Sequence, residues 1–189
     1  MSVVVGVDEV GRGPWAGPLV AAAVVWDDSI SPEGLADSKV LSYKKRTELA
    51  ELIRRDAVDI GIGWVSAAEI DSRGLSQANR LAMLRALAAL KCDGLQIIID
   101  GNVDYLKPDY KCQTIVKADG KVSAVSAASI IAKLARDTYM TQIAKVYPQY
   151  GFENHVGYGT SNHILKLKQY GVSPLHRQGF KPIQQFSLA

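Results

Sequence analysis

Two apolar runs near the N-terminus, residues 3–7 and 19–26, flank a segment rich in glycine and proline. β-Branched and alanine-rich runs separated by turn-forming residues predict two adjacent strands. Asp8 and Glu9 follow the first run directly. A chain with this beginning has to place two neighbouring carboxylates where a buried strand meets a loop. No other feature of the sequence constrains the fold as strongly.

The rest of the chain predicts helices interleaved with further strands. Ser42 is a predicted N-cap for a helix that runs to about residue 57. Further helices are predicted at residues 77–90, 123–146 and 161–170, and further strands at 58–65, 95–99 and 113–116. The sequence shows no internal repeat, low-complexity tract or linker, so its 189 residues predict a single α/β domain with a mixed sheet.

Composition excludes several classes of protein. With 48% hydrophobic and 22% charged residues, the chain is typical of a soluble globular protein. No apolar run approaches the roughly 20 residues that span a bilayer, and the N-terminus lacks the basic region of a signal peptide. Cys92 and Cys112 have no metal-ligand spacing, so we expect reduced thiols and a cytoplasmic protein.

The net charge of +3 is unevenly distributed. Residues 1–100 carry 11 Lys and Arg against 14 Asp and Glu, a net of −3. Residues 101–189 carry 11 against 5, a net of +6. This gradient indicates a polyanionic partner held against a carboxylate site. A solvated basic face with no partner would give the same totals.

Carboxylates follow three predicted strands. Besides Asp8 and Glu9, Asp100 follows residues 95–99 and Asp119 comes shortly after residues 113–116. Strand ends form the usual ligand crevice of α/β folds, and hard oxygen ligands suit Mg²⁺ or Mn²⁺. Acids after strands are also common turn residues, so spacing alone leaves their convergence open.

Seven ordered motifs are similar to those of the ribonuclease HII family, and they run from Asp8 to about Pro182. They are Asp-Glu-Val-Gly-Arg-Gly from residue 8, Asp-Ser-Lys from 37, Ile-Asp-Gly-Asn from 99, Lys-Ala-Asp from 117, Ser-Ala-Ala-Ser-Ile-Ile-Ala-Lys from 126, Gly-Tyr from 157 and His-Arg from 176. The resemblance implies the ribonuclease H-like fold, a mixed central β-sheet flanked by helices. It also implies a C-terminal helical extension that binds substrate, here about residues 148–189 after a core of about 1–147.

The resemblance further implies an endoribonuclease. Such an enzyme hydrolyses the RNA strand of RNA/DNA hybrids and incises duplex DNA 5′ of embedded ribonucleotides, leaving 3′-hydroxyl and 5′-phosphate ends. Two-metal-ion catalysis with Mg²⁺ or Mn²⁺ is implied. Asp8 and Asp100 would share the ions, and Glu9 and Asp119 would complete the two coordination spheres.

The family's substrate contacts carry over by motif. Backbone groups of Gly11, Arg12 and Gly13 would meet the ribose 2′-hydroxyl, which distinguishes RNA from DNA. Tyr158 would pack on the deoxyribose that follows the ribonucleotide. The remaining candidates are Lys39, Lys117, Lys133, Arg136 and Arg177 for phosphates and Ser126 and Ser129 for the uncleaved strand. Each of these could equally be a solvated, structural or packing residue.

Other functions remain open at this point. A ribonuclease HIII-like hybrid nuclease usually has a domain before its carboxylate motif, whereas this motif begins at residue 8. A DNA resolvase or exonuclease of the same fold would lack a use for the Gly-Arg-Gly turn, and a binding module would not need four carboxylates. Residues 185–189 resemble a short sliding-clamp peptide, which predicts a weak clamp contact. We also expect the protein to be a monomer.

Overall fold

The structure is a computed structural model that describes residues 3–27, 30, 35 and 41–186. Its five strands are β1 (Val3–Val10), β2 (Leu19–Asp27), β3 (Asp59–Val65), β4 (Gln96–Asp100) and β5 (Cys112–Ile115). They form one sheet in the order β3-β2-β1-β4-β5. β2 is antiparallel to β1 and β3, whereas β4 is parallel to β1 and β5. The predicted mixed sheet is confirmed.

Seven helices accompany the strands in the described part of the chain. They are α1 (Tyr43–Asp56), α2 (Ala67–Arg73), α3 (Leu75–Ala88), α4 (Ser123–Ala144), α5 (Phe152–His155), α6 (Ser161–Tyr170) and α7 (Lys181–Gln184). Ser42 caps α1, as predicted, by accepting a hydrogen bond from the Lys45 amide at 3.3 Å. Most predicted boundaries lie within two residues of these ends.

The first strand is longer than predicted. It does not end at residue 7, because Asp8 pairs with Ala22 and Glu9 with Ala21 on β2. The expectation that both acids follow the strand was therefore wrong: they lie within its last three residues. Acidic residues are depleted from strands, but here the antiparallel partner continues and satisfies the backbone.

Helices cover both faces of the sheet. α1 and α4 enclose one apolar cluster with the sheet, and α3 encloses a second cluster on the opposite face. A third cluster, which includes Tyr150, Phe152, Leu167 and Ile183, lies within the C-terminal segment. This separate cluster agrees with a C-terminal extension, whose exact boundary stays a prediction.

Backbone hydrogen bonds join the C-terminal segment to the loop between β1 and β2. The Gly17 amide donates to the Leu175 carbonyl at 2.8 Å, and the Arg177 amide donates to the Trp15 carbonyl at 2.8 Å. Ala16 and His176 form an isolated β-bridge between these bonds. The extension is thus fastened beside the end of β1. Within the described ranges, none of the helices combines the length and apolar character that a membrane crossing requires.

Candidate active site

The sheet topology brings the predicted carboxylates to one edge. Val7 of β1 lies opposite Ile99 of the parallel strand β4, so Asp8 and Asp100 are the next residues on adjacent strands. A carboxylate oxygen of Asp100 accepts a hydrogen bond from the Ala118 amide at 2.7 Å. That bond holds the 3₁₀ turn Ala118–Gly120, which contains the buried Asp119. Three separate segments of sequence therefore meet at this edge.

Asp8 is in an environment that disfavours its negative charge. It is 8% exposed, and burial raises its pKa to about 8, with the charges of Glu9 and Asp100 acting in the same direction. A hydrogen bond with Ser129 and another from the Glu9 amide at 2.8 Å oppose this shift. Desolvation and like-charge repulsion are the expected signature of a functional carboxylate cluster.

Glu9 has a local cationic partner. Burial raises the pKa of Glu9, whereas the Arg12 guanidinium, 3.1 Å from its carboxylate, acts against the rise. Arg12 also lies over the Tyr105 ring, 5.5 Å from the ring centroid. The Arg12 side chain is therefore directed back toward the carboxylates. Tyr105 was not singled out from the sequence, which offers no motif around it.

The donor chemistry of the cluster fits hard divalent cations. All four candidate ligands are carboxylates, the ligand type that Mg²⁺ and Mn²⁺ prefer. In the described part of the chain, no three His, Cys, Asp or Glu side chains are arranged as a ready-made metal cage. Burial, followed by the charges of Glu9 and Asp100, raises the pKa of Asp8, and a bound cation would offset both effects by stabilising the carboxylate. We therefore regard the residues as chemically suited to metal ions.

Two buried arginines hold the loop between β1 and β2, which contains the Gly-Arg-Gly turn. Arg177 donates to the Gly11 carbonyl at 2.6 Å and to the Arg12 carbonyl at 3.1 Å. Arg136 donates to the carbonyls of Pro18 at 2.9 Å and Ala16 at 3.1 Å. Gly11 has a φ of 91°, and a Cβ there would lie 2.5 Å from the Arg136 side chain.

These contacts correct two expectations. Arg136 and Arg177 were predicted to contact phosphates, but both are fully buried and donate to backbone carbonyls. A guanidinium enclosed in this way cannot reach a phosphate without leaving its acceptors. We therefore assign both arginines to the support of the glycine-rich loop. Nη1 of Arg136 has no hydrogen-bond partner among the described residues.

Tyr158 lies next to the glycine-rich turn. Its side chain is 43% exposed, and its Cε1 atom lies 3.7 Å from the position that a Cβ on Gly13 would occupy. The backbone on either side is docked on the same loop, since Trp15 and Ala16 amides donate to the Gly157 carbonyl at 2.8 and 3.3 Å. The structure thus brings together the two predicted sugar-recognition elements.

A cavity of about 300 Å³ extends from this point across the face of α4. Its lining comprises Glu9, Val10, Arg46, Ser129, Ile130, Lys133 and Tyr158. Lys133 forms an ion pair with Asp137 at 2.9 Å, and Arg46 lies 3.7 Å from the same carboxylate. A cavity that joins cations to a carboxylate cluster suits a phosphodiester.

Sequence reasoning missed Arg46. The signal was the run Lys44-Lys45-Arg46, which falls in the first turn of α1 where no acidic residue is present. Cations at a helix N-terminus oppose the helix dipole, so a basic run there has a local cost. A basic run that is kept at this position despite its electrostatic cost to the helix indicates a binding role for these side chains.

The other predicted contacts have different positions. Lys117 is exposed beside the Asp119 turn, with a left-handed φ of 57°. Ser126 is buried and its hydroxyl donates to the Asp119 carbonyl, so it is not presented to the uncleaved strand, contrary to the prediction. Ser129 and Lys133 line the cavity. Lys39 lies outside the described residues.

Comparison with known proteins gives one consistent result. The family model described as ribonuclease HII matches residues 5–183. The ribonuclease HII of Dechloromonas aromatica strain RCB is 46% identical over 189 residues, which are 100% of this chain and 96% of that protein.

Two solved structures are similar in fold. The ribonuclease H2 of Pyrococcus horikoshii OT3 matches with a TM-score of 0.84 and 30% identity, over 98% of this chain and 97% of that one. The ribonuclease HII in a complex with PCNA from Archaeoglobus fulgidus matches with a TM-score of 0.79 and 26% identity, over 95% of each chain.

Proposed function

Because the chain belongs to the ribonuclease HII family, we propose that it incises duplex DNA on the 5′ side of embedded ribonucleotides and hydrolyses the RNA strand of RNA/DNA hybrids. It is a ribonuclease, an endonuclease that hydrolyses phosphodiesters. The ribonuclease HII family model matches residues 5–183, nearly the whole chain. This match disfavours the ribonuclease HIII alternative.

One observation carries the substrate proposal: the Tyr158 ring lies against Gly13. Gly13 belongs to the loop that directly follows β1, the strand that carries Asp8. A glycine turn without side-chain bulk lets backbone groups approach a ribose 2′-hydroxyl. An exposed aromatic ring beside it offers an apolar face to a deoxyribose, which has no hydroxyl at that position. This pairing supports recognition of the junction between a ribonucleotide and the DNA that follows it.

Asp8, Glu9, Asp100 and Asp119 would hold two divalent cations, Mg²⁺ or Mn²⁺. When bound, such ions would supply Lewis-acid polarisation of the phosphate and lower the pKa of water. Ser129 fixes the Asp8 carboxylate by a hydrogen bond, and the Ala118 amide fixes Asp100. These bonds restrict the rotamers of both carboxylates before any ligand arrives.

The reaction breaks the bond between phosphorus and the 3′ oxygen of the preceding nucleotide. The oxygen of water joins the phosphorus, the 3′ oxygen takes a proton, and the phosphate stays on the 5′ side of the ribonucleotide. Lys133 and Arg46 line the cavity beside Glu9, and Lys117 is exposed beside the Asp119 turn, so these three cations could balance backbone charge. For Lys39 the same role rests on its sequence motif alone. Gly11, Arg12 and Gly13 position the ribose, since Arg177 holds that turn in place.

The proposal is tested by mapping the products from a duplex that contains one ribonucleotide, with and without Mg²⁺ or Mn²⁺. We expect a cut 5′ of that nucleotide, dependent on metal, with 3′-hydroxyl and 5′-phosphate ends. Equal cutting of an all-DNA duplex would contradict the proposal and favour a resolvase or exonuclease. Binding without any cleavage under these conditions would favour a binding module.

We also propose a weak contact between residues 185–189 and a sliding clamp, made by a monomeric enzyme. Support comes from the clamp-like sequence and from the similar archaeal protein, which is described in a complex with PCNA. Phe186 is partly buried against the C-terminal cluster, and residues 187–189 lie outside the described part. Deleting residues 185–189 should abolish clamp binding; unchanged binding would contradict this proposal.

A further inference from the structure

All three histidines of the chain are buried together in the C-terminal extension. His163 is 0% exposed, His176 is 1% exposed and His155 is 7% exposed. The rings of His155 and His163 stack with centroids 4.4 Å apart, and those of His163 and His176 are 5.2 Å apart. Three titratable rings are thus packed together away from the carboxylate site. The proposed reaction gives them no role.

Hydrogen-bond partners account for every ring nitrogen in this group. His155 contacts the Tyr150 carbonyl through Nε2 and accepts from the Gly157 amide through Nδ1. His163 contacts the Tyr158 carbonyl at 2.9 Å through Nδ1, and its Nε2 lies 3.0 Å from Nε2 of His176. Since no nitrogen is left over, the cluster is not a metal site, in agreement with the absence of a ligand group in the described ranges.

The chain of bonds has one direction. The Ser173 amide donates to Nδ1 of His176 at 2.9 Å, so that nitrogen is the acceptor and the proton of His176 is on Nε2. His176 therefore donates to Nε2 of His163. The proton of His163 must then be on Nδ1, from which it donates to the Tyr158 carbonyl. All members are neutral, and burial lowers the pKa of His163 and of His176 to about 4.

The chain of hydrogen bonds ends at the Tyr158 carbonyl, in a segment whose backbone conformation needs support. Val156 has a left-handed φ of 43°, a rare conformation for a β-branched residue, and Gly157 follows with a φ of 89°. A Cβ on Gly157 would lie 2.3 Å from the Ala16 carbonyl oxygen, and a Cβ on Gly159 would lie 2.2 Å from the Trp15 ring. Tyr158 is therefore carried by a strained loop pressed onto Trp15 and Ala16 from one side, with His163 behind it.

We propose that His163 and His176 are positioning residues for Tyr158, acting through the directed hydrogen-bond chain that fixes the Tyr158 carbonyl. This inference rests on the proposed role of Tyr158 in recognising a lone ribonucleotide. Without the chain, the loop loses the bond that orients the peptide of Tyr158, and the ring loses its fixed place against Gly13. The effect should be greatest on substrates that depend on Tyr158.

The test compares His163→Asn with His163→Leu. Asn retains a donor near the position of Nδ1, so it can still bond the Tyr158 carbonyl, whereas Leu has none. For His163→Leu we expect kcat/KM on a duplex with one ribonucleotide to fall about tenfold, as for one lost orienting hydrogen bond, with less than about threefold change on a continuous RNA/DNA hybrid. His163→Asn should keep most of the activity on both substrates.

Two matched variants separate positioning from general damage. Leu167→Ala removes a buried side chain from the same helix but no hydrogen bond to the Tyr158 carbonyl, so it should affect both substrates equally. In a Tyr158→Ala background, His163→Leu should cause no further loss of incision, since its target is already gone. Additive losses, or equal losses on both substrates, would overturn the inference.

Nuclear magnetic resonance of the wild-type histidine rings gives a second test. We expect the Nδ1–H tautomer for His163 and the Nε2–H tautomer for His176. The opposite assignment would overturn the inference whatever the variants do. If wild-type protein failed to incise at a ribonucleotide while these tautomers were observed, the proposed function would fail and the hydrogen-bond chain would stand.

Discussion

The position of Asp8 beside Asp100 is the structural fact on which the site depends. Asp100 ends β4 and Asp8 lies within the last three residues of β1. The two cannot move apart without breaking the parallel pairing of Val7 with Ile99. Burial and the neighbouring carboxylates raise the pKa of Asp8 to about 8. The protein therefore maintains an arrangement that is unfavourable without a positive counter-charge, which is a cost borne at functional sites.

Replacing Asp100 by Asn should abolish cleavage and preserve binding. The amide keeps the shape of the side chain and an acceptor for the Ala118 amide, but it removes one negative charge from the cluster. We expect kcat to fall by about 10³-fold or more, since electrostatic ligands contribute on this scale. The affinity for a ribonucleotide-containing duplex should stay the same or rise.

Asp56→Asn is the matched control, because Asp56 lies at the end of α1 and pairs with Arg55. It should leave cleavage unchanged. Single-turnover rates and filter binding on the same duplex would measure both quantities. Near-normal metal-dependent turnover in Asp100→Asn would refute the site assignment.

The carboxylates of the site could be predicted from the sequence, whereas the burial of the two arginines could not, and both outcomes have a physical reason. Carboxylates after apolar runs are visible in the sequence, and parallel pairing then brings Asp8 and Asp100 together. The burial of Arg136 and Arg177 was not predictable, because their acceptors are carbonyls 118 to 166 residues away. A charged side chain becomes structural only through such distant partners, and motif position carries no information about them.

At the scale of elements, small residues let the helices approach the sheet closely. A Cβ on Gly6 of β1 would lie 2.1 Å from the backbone of Ala124 in α4. On the other face, Cβ atoms on Gly61 and Gly63 of β3 would lie 2.0 Å from carbonyl oxygens of α3. Periodicity predicted the helices, but it could not predict this spacing, which depends on which faces meet.

Gly6→Ala should therefore destabilise the protein strongly. The added methyl group meets backbone atoms, which cannot rotate away, so α4 has to move from the strand that carries Asp8. Overpacking of this kind costs about 1–3 kcal/mol or more in free energy of unfolding. Urea unfolding followed by circular dichroism would measure the loss.

Gly94→Ala is the comparison for this variant. No atom lies within 4 Å of a Cβ there, although its φ of 70° is strained for alanine. We expect a loss of about 1 kcal/mol from backbone strain alone. An equal or smaller loss for Gly6→Ala would show that the contact between β1 and α4 is looser than the structure indicates.

At the scale of the whole molecule, the buried histidines couple the stability of the extension to pH. Burial lowers the folded-state pKa of His163 and His176 from 6.5 to about 4. In the unfolded chain both groups bind protons below about pH 6.5, whereas in the folded chain they resist protonation until about pH 4. Stability is therefore full above pH 6.5 and is lost as pH falls toward 4.

The expected loss is on the order of a few kcal/mol for the two histidines together across that window. Carboxylates such as Asp8 also titrate, so the informative quantity is the difference between wild type and His163→Asn. The variant should show a shallower dependence of the free energy of unfolding on pH between 6.5 and 4. Parallel curves for the two proteins would contradict the assignment of the dependence to this pair.

We expect binding of a duplex to be sensitive to salt, and we expect the sensitivity to map to one edge of the sheet. Lys133 lines the cavity beside Glu9, and Lys117 is exposed beside the Asp119 turn. If each neutralises one phosphate, Lys133→Ala and Lys117→Ala should each reduce the slope of log affinity against log salt by about one.

Lys91 provides the matched control. It follows α3, and its backbone amide donates a hydrogen bond to Asp59 at the start of β3, which places Lys91 at the opposite edge of the sheet. Lys91→Ala should leave the slope unchanged, because that edge faces away from the carboxylates. Fluorescence anisotropy at several salt concentrations, with Asp100→Asn to prevent cleavage, would measure the slopes. A reduction for Lys91→Ala equal to the others would mean that the duplex does not follow the edge where the basic half of the chain meets the acidic site.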